Sequence, residues 1–233
     1  QAIGMFTEAV KFYEKVKVID SNKTYRDRVF LNLGKIHLER KNYNEATLVG
    51  RKFLQIYPRS KLVPDGMKLL ARALRGQGDF SEAINIYEDL LARSSEKAEV
   101  HYFLGETFSE INQLADAVQA YQRAIETYDR QEKLIPEYLQ NAYFHLGTSL
   151  FKLNRFGPAM EALKSASELF PDNPLRDWAD FLMIESLEKL GDPSRITEGL
   201  NKLVKTENGD DLTRQAAESR VKIREWEKQL KEG

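Results

Sequence analysis

Residues 141–171 read NAYFHLGTSLFKLNRFGPAMEALKSASELFP. Gly147 and Ala159 are small residues set among larger apolar ones: Tyr143, Leu146, Leu150, Phe156 and Leu163. The apolar spacing predicts two short amphipathic helices, the first from about Asn141 to Leu153, joined by a turn at Asn154-Arg155. A small residue on each helix lets the two backbones approach, so the surrounding large side chains interlock. Pro171 then closes the stretch.

The same small-residue pair recurs along the chain, at Gly34/Ala46, Ala71/Ala83, Gly105/Ala117 and Gly147/Ala159. Tyr87 and Tyr121 follow Ala83 and Ala117 by one helical turn, and Pro58 closes the Gly34 unit as Pro171 closes the central one. Four such units in register resemble the tetratricopeptide repeat (TPR) family, whose pattern places Gly or Ala at its eighth position, Ala at its twentieth and Pro at its thirty-second. The resemblance implies an all-α fold, a right-handed superhelix (α-solenoid) of antiparallel helix pairs. The first helix of each pair would line a concave groove, and the second would face outward.

On this reading the chain is a single TPR array over 1–233. It comprises a half repeat at 5–20, repeats at 25–58, 62–95, 98–133 and 136–171, a degenerate repeat at 174–205 and a C-terminal capping helix at 211–231. The half repeat (Phe6, Ala9, Val10, Phe12, Tyr13) has no first helix before it, so the chain beginning at Gln1 reads as a piece of something longer. Gly50 stands where a large residue is usual, either as a weak point or to admit another helix closely. Pro64 and Pro136 are each expected to open a helix. Extra residues around Thr127–Pro136 make either a tolerated length variation or a protruding elbow. In the degenerate repeat, Gly191-Asp192 marks the turn, and Ile196 replaces the small residue, so the helix pair is expected to open. The last helix carries a stripe of Leu212, Ala216, Ser219, Ile223, Trp226 and Leu230, read as a cap or as a short dimerisation seam.

Composition bounds the function. The 233 residues hold 35 Lys+Arg and 36 Asp+Glu, a net charge of −1, so no overall field attracts nucleic acid or an anionic membrane. No apolar run approaches the ~18 residues that span a bilayer, so direct membrane insertion is not expected. With no cysteine, thiolate metal sites and disulfides are excluded. His37, His101 and His145 fall at different repeat positions without a metal-binding partner pattern. There is no P-loop, GxGxxG or nucleophile elbow. Neither enzymatic activity nor a cofactor is expected.

The family's groove positions supply the candidate site. In the Ala71 repeat they include Lys68, Arg72 and Arg75; in the Gly105 repeat Glu99, Tyr102 and Glu106; in the Gly147 repeat Asn141, Phe144, Thr148 and Phe151; in the degenerate repeat Phe181. Lys68, Arg72 and Arg75 share one helix face. They form either an ion-pair ladder with Glu99, Glu106 and Glu110 or a basic patch for an acidic segment. Tyr102, Phe144, Phe151 and Phe181 form either the apolar floor of a peptide site or packing between repeats. The carboxylate clamp of chaperone-binding members is not matched, since Asp65 and Leu69 stand where it needs cations.

The reading is therefore a non-enzymatic scaffold that binds a peptide or helix of a partner protein in its groove. Alternatives are a self-assembling structural module, with a homo-oligomer, or a regulatory domain of a larger protein. The linkers Tyr57-Pro58…Ser60…Pro64 and Phe170-Pro171…Asn173-Pro174 resemble those of bacterial cell-envelope TPR proteins, which suggests a periplasmic location and a part in envelope assembly.

Overall fold

The structure, a computed structural model, describes residues 26–93, 97–128, 135–191, 196–204 and 211–232. The expected half repeat at 5–20, most of the 127–136 insertion, Asp192, Pro193 and residues 206–210 lie outside these, as do the side chains of Leu212, Trp226 and Leu230.

The described residues are all-α. Eleven helices follow one another: α1 (Arg26–Glu39), α2 (Tyr43–Ile56), α3 (Val63–Gln77), α4 (Phe80–Arg93), α5 (Lys97–Glu110), α6 (Leu114–Thr127), α7 (Glu137–Lys152), α8 (Phe156–Leu169), α9 (Arg176–Lys189), α10 (Ile196–Val204) and α11 (Asp211–Glu232). They are the helix pairs of a TPR-type solenoid. The chain divides within α5 into two compact units, residues 1–107 and 108–233. In the first, α1 packs on α2 and α3, α2 on α3, and α3 on α4. In the second, α6 packs on α7, α7 on α8 and α9, α8 on α9, α9 on α10, and α11 on α10 and α9.

One hydrogen-bond scheme repeats at the turns. Lys41, Gly78, Asn112, Asn154 and Gly191 all have positive φ, between +58° and +88°. The residue after each of the first four donates its N–H five residues back: Asn42 to His37 O, Asp79 to Leu74 O, Gln113 to Phe108 O and Arg155 to Leu150 O, at 2.8–2.9 Å. These bonds satisfy carbonyls left over at the helix ends. The carbonyls of the same four residues then accept from Ala46, Ala83, Ala117 and Ala159, opening the second helix. Glycine and asparagine suit the left-handed conformation; Lys41 adopts it against its Cβ.

The marker residues are where the helices touch. Ala46, Ala71, Ala83, Ala117 and Ala159 are fully buried. A Cβ on Gly147 would stand 2.5 Å from Leu163 Cγ and 3.1 Å from its backbone N, so only glycine lets α7 and α8 approach this closely. Gly50 is not a weak point: a Cβ there would lie 3.1 Å from Leu70 Cβ and 3.3 Å from its Cα, placing α3 directly against α2.

Three expectations shift. Helix α7 begins at Glu137, directly after Pro136 as expected for its opening residue, and so one turn ahead of the Asn141 start; Pro136 is extended at the N-cap and the first turn buries Leu139. Ile196 is buried among Phe181, Ile184, Leu200 and Ala217, and the small residue moves to Gly199, whose Cβ would meet Ile184 at 2.9 Å. On α11, the stripe expected through Ser219 and Ile223 is not the covered face, since both are exposed. Thr213 and Ala217 are buried instead, and Arg220, on the same face, reaches Glu185 of α9 with two 2.8 Å hydrogen bonds. Glu185 is buried, and a buried carboxylate demands a cation, so this pair sets the rotation of the helix.

Candidate functional site

The two linkers singled out in the sequence fold alike. Ser60 Oγ accepts from the N–H of Leu62 and donates to Asp27 at the start of α1. Asn173 accepts from the N–H of Leu175 and donates to Asn141 near the start of α7, at 3.2 Å. Each linker thus makes a side-chain turn just ahead of the helix it leads into and ties it to the first helix of the preceding repeat. Asn141 is occupied by this tie.

On the first-helix face of the first unit, α3 and α5 are joined by ion pairs. Lys68 Nζ lies 2.8 Å from Glu99 and 3.3 Å from Asp65, and Arg75 lies 2.5 Å from Glu106. Tyr102 donates its hydroxyl to the other oxygen of Glu106 at 3.0 Å. The ladder reading therefore describes Lys68 and Arg75, which are largely covered. Arg72 differs: it is exposed, and its guanidinium lies 5.0 Å from the centroid of the Phe103 ring. Phe103 in turn stacks on Tyr87, so the cation rests on a fixed platform.

The aromatics do not form an exposed floor. Tyr102 is 6% exposed, Phe144 1% and Phe181 8%. Phe144 packs with Leu163, Ala166, Phe170, Ala179 and Leu182, and Phe151 packs against the same cluster, meeting Phe156 edge-on at 5.4 Å. Phe181 belongs to another cluster, with Ile184, Ile196, Leu200 and Ala217. Packing between helices is what the structure shows for them, because first helices of adjacent repeats touch directly and their large residues fill the seam. Thr148 donates its hydroxyl to Phe144 O within its own helix.

One residue of this face was missed. Trp178, three residues before Phe181, is 42% exposed and stacks on the Phe181 ring at 5.4 Å with an interplanar angle of 22°. The signal was present: with Phe181 at position five, Trp178 is position two, another groove position. Among the described residues, no group of three or more His, Cys, Asp or Glu is arranged to hold a metal ion, and no helix is long and apolar enough to cross a membrane.

Consecutive helix pairs with buried small residues and polar linker ties define a helical repeat protein, a fold that offers extended surfaces to other proteins. Tetratricopeptide-repeat models match residues 68–132 and 140–173, so the chain contains repeats of that family. It is similar in structure to a tetratricopeptide repeat protein from Parabacteroides merdae (16% identity, TM-score 0.66, covering 98% of this chain and 83% of that one). It is also similar to MamA (18%, 0.63, 78% and 92%) and to YrrB, a TPR protein with an unusual peptide-binding site (15%, 0.63, 89% and 97%). No curated protein matches the sequence. The fold makes the chain a protein–protein interaction scaffold of a generally non-enzymatic kind.

Proposed function

We propose that the chain binds a peptide or helix of a partner protein through its first helices. Trp178 carries this reading. A large aromatic ring held by stacking on a buried neighbour, with much of its surface in water, gains most when a partner covers it. The peptide-binding site of YrrB is in keeping with this use of the fold. Envelope assembly in a bacterial periplasm, suggested by the two linkers, is part of the same proposal, tested by fractionating cells that express the natural gene. Self-assembly is the alternative, for which the mass of the purified protein should rise with concentration.

The test is affinity capture with the wild-type chain and with Trp178→Ala, both shown to be helical by circular dichroism. A protein retained by the wild type and lost by the variant supports the proposal; equal retention by both removes Trp178 from it. Phe144 and Phe181 are unsuitable probes, because replacing them opens the core.

A further inference from the structure

Charge on the first-helix face of the first unit does not balance. Its carboxylates Asp65, Glu99 and Glu106 are engaged by Lys68 and Arg75, and Glu39, one turn beyond Lys35 at the end of α1, is the exposed carboxylate set against three exposed cations. Asp27, beside the face, accepts from the Arg28 backbone N–H and from Ser60. Three further cations stand on the face, Arg28 and Lys35 of α1 and Arg72 of α3. All three side chains are exposed, and none has a carboxylate within 4.0 Å among the described residues.

Packing brings the three together. Arg28 and Lys35 are seven residues apart, two turns of one helix, so they lie on one side about 10 Å apart. Leu31, between them, is buried in one cluster with Leu69 of α3. A Cβ on Gly34, next to Lys35, would stand 2.3 Å from Leu69 Cδ2, so the two helices are in contact there. Arg72 is one turn beyond Leu69. The cations therefore flank a single close contact of α1 with α3. Leu31 and Leu69, which might have offered an apolar surface, are consumed by that contact.

We infer that this stripe is a docking site for an acidic segment of a partner protein, a run of Asp and Glu in extended conformation. The inference rests on the reading that the first-helix face binds a partner, and it assigns that partner's chemistry. In a polyproline-II stretch three residues make one turn and span about 9 Å, so carboxylates at i and i+3 fall on one side and reach Arg28 and Lys35 together. A third meets Arg72, whose guanidinium is already positioned by Phe103, which lowers the ordering cost of binding. The neighbouring ladder keeps Lys68 and Arg75 occupied, so the stripe is a short line of charge rather than a broad basic surface. That favours an acidic peptide over a nucleic-acid backbone, and the net charge of −1 agrees.

The probe is a fluorescein-labelled decaglutamate peptide, titrated with the full 233-residue chain by anisotropy at low and at high salt. Binding that weakens steeply with salt is expected, with about a fivefold loss for Lys35→Gln or Arg72→Gln and near-complete loss for the triple variant with Arg28→Gln. Arg51→Gln, which removes the Arg51–Glu82 pair of the second helices, should leave binding unchanged. No binding of the peptide, or binding indifferent to the triple variant, overturns the assignment. So does an unlabelled single-stranded oligonucleotide that displaces the peptide more strongly than unlabelled decaglutamate at equal charge. A partner captured through Trp178 in the presence of either result leaves the scaffold reading standing and sinks the acidic assignment alone.

Discussion

One first-helix seam in each unit shows the same kind of contact filled in opposite ways. In the first unit, α3 and α5 meet through Lys68–Glu99 and Arg75–Glu106, with Arg72 on the Phe103 ring. In the second, Phe144 of α7 meets Ala179 and Leu182 of α9 together with Phe170 at the end of α8, and ionic contact is deferred to Glu185–Arg220 at the last helix. The difference shows that the repeat pattern fixes where helices touch and leaves open what fills the seam. Apolar seams hold the structure; partly exposed ionic seams contribute little to stability.

The largest test of that contrast is Phe144→Ala, expected to cost about 3–5 kcal/mol because the ring is enclosed on all sides. Urea denaturation of the full chain measures it, and a loss under 1 kcal/mol would contradict an apolar seam. Next comes Arg220→Ala, which strands Glu185 without its cation and should cost about 2–3 kcal/mol, with part recovered in Arg220→Lys. In the ionic seam, Glu106→Gln should cost only about 1 kcal/mol. A double-mutant cycle with Arg75→Gln should give a coupling that shrinks as salt is raised; a salt-independent coupling would place this pair among the buried ones. The smallest effect has the opposite sign. Lys41→Gly should stabilise the chain by about 1 kcal/mol, since φ of +58° is strained for lysine, whereas the same change at a helical lysine should destabilise it.

The fold was legible because its markers are few and repeated. Ala46, Ala83, Ala117 and Ala159 each sit at zero exposure, and the Gly78, Asn112 and Asn154 turns fall between them. Much less of the site could be read. Groove positions inherited from a family pattern say which way a Cα faces, not whether a neighbour covers its side chain. For Tyr102, Phe144 and Phe181 the sequence therefore left floor and packing both open, and they are packing, whereas Trp178, at a position of the same kind, keeps an exposed face. The capping helix failed for a related reason. Its apolar periodicity pointed to Ile223, but the buried carboxylate of Glu185 selected the side that carries Arg220, and no local pattern encodes a partner 35 residues away.

The sequence by itself determined the helix pairs, their turns and the glycines and alanines at their crossings, because steric fit between adjacent helices is a local, repeated requirement. The tertiary structure is what separates cations engaged within the protein, Lys68 and Arg75, from Arg28, Lys35 and Arg72, which have no carboxylate within 4.0 Å among the described residues. Charge pairing depends on distances of a few ångströms between helices some 31 residues apart in sequence, and periodicity carries no information at that scale.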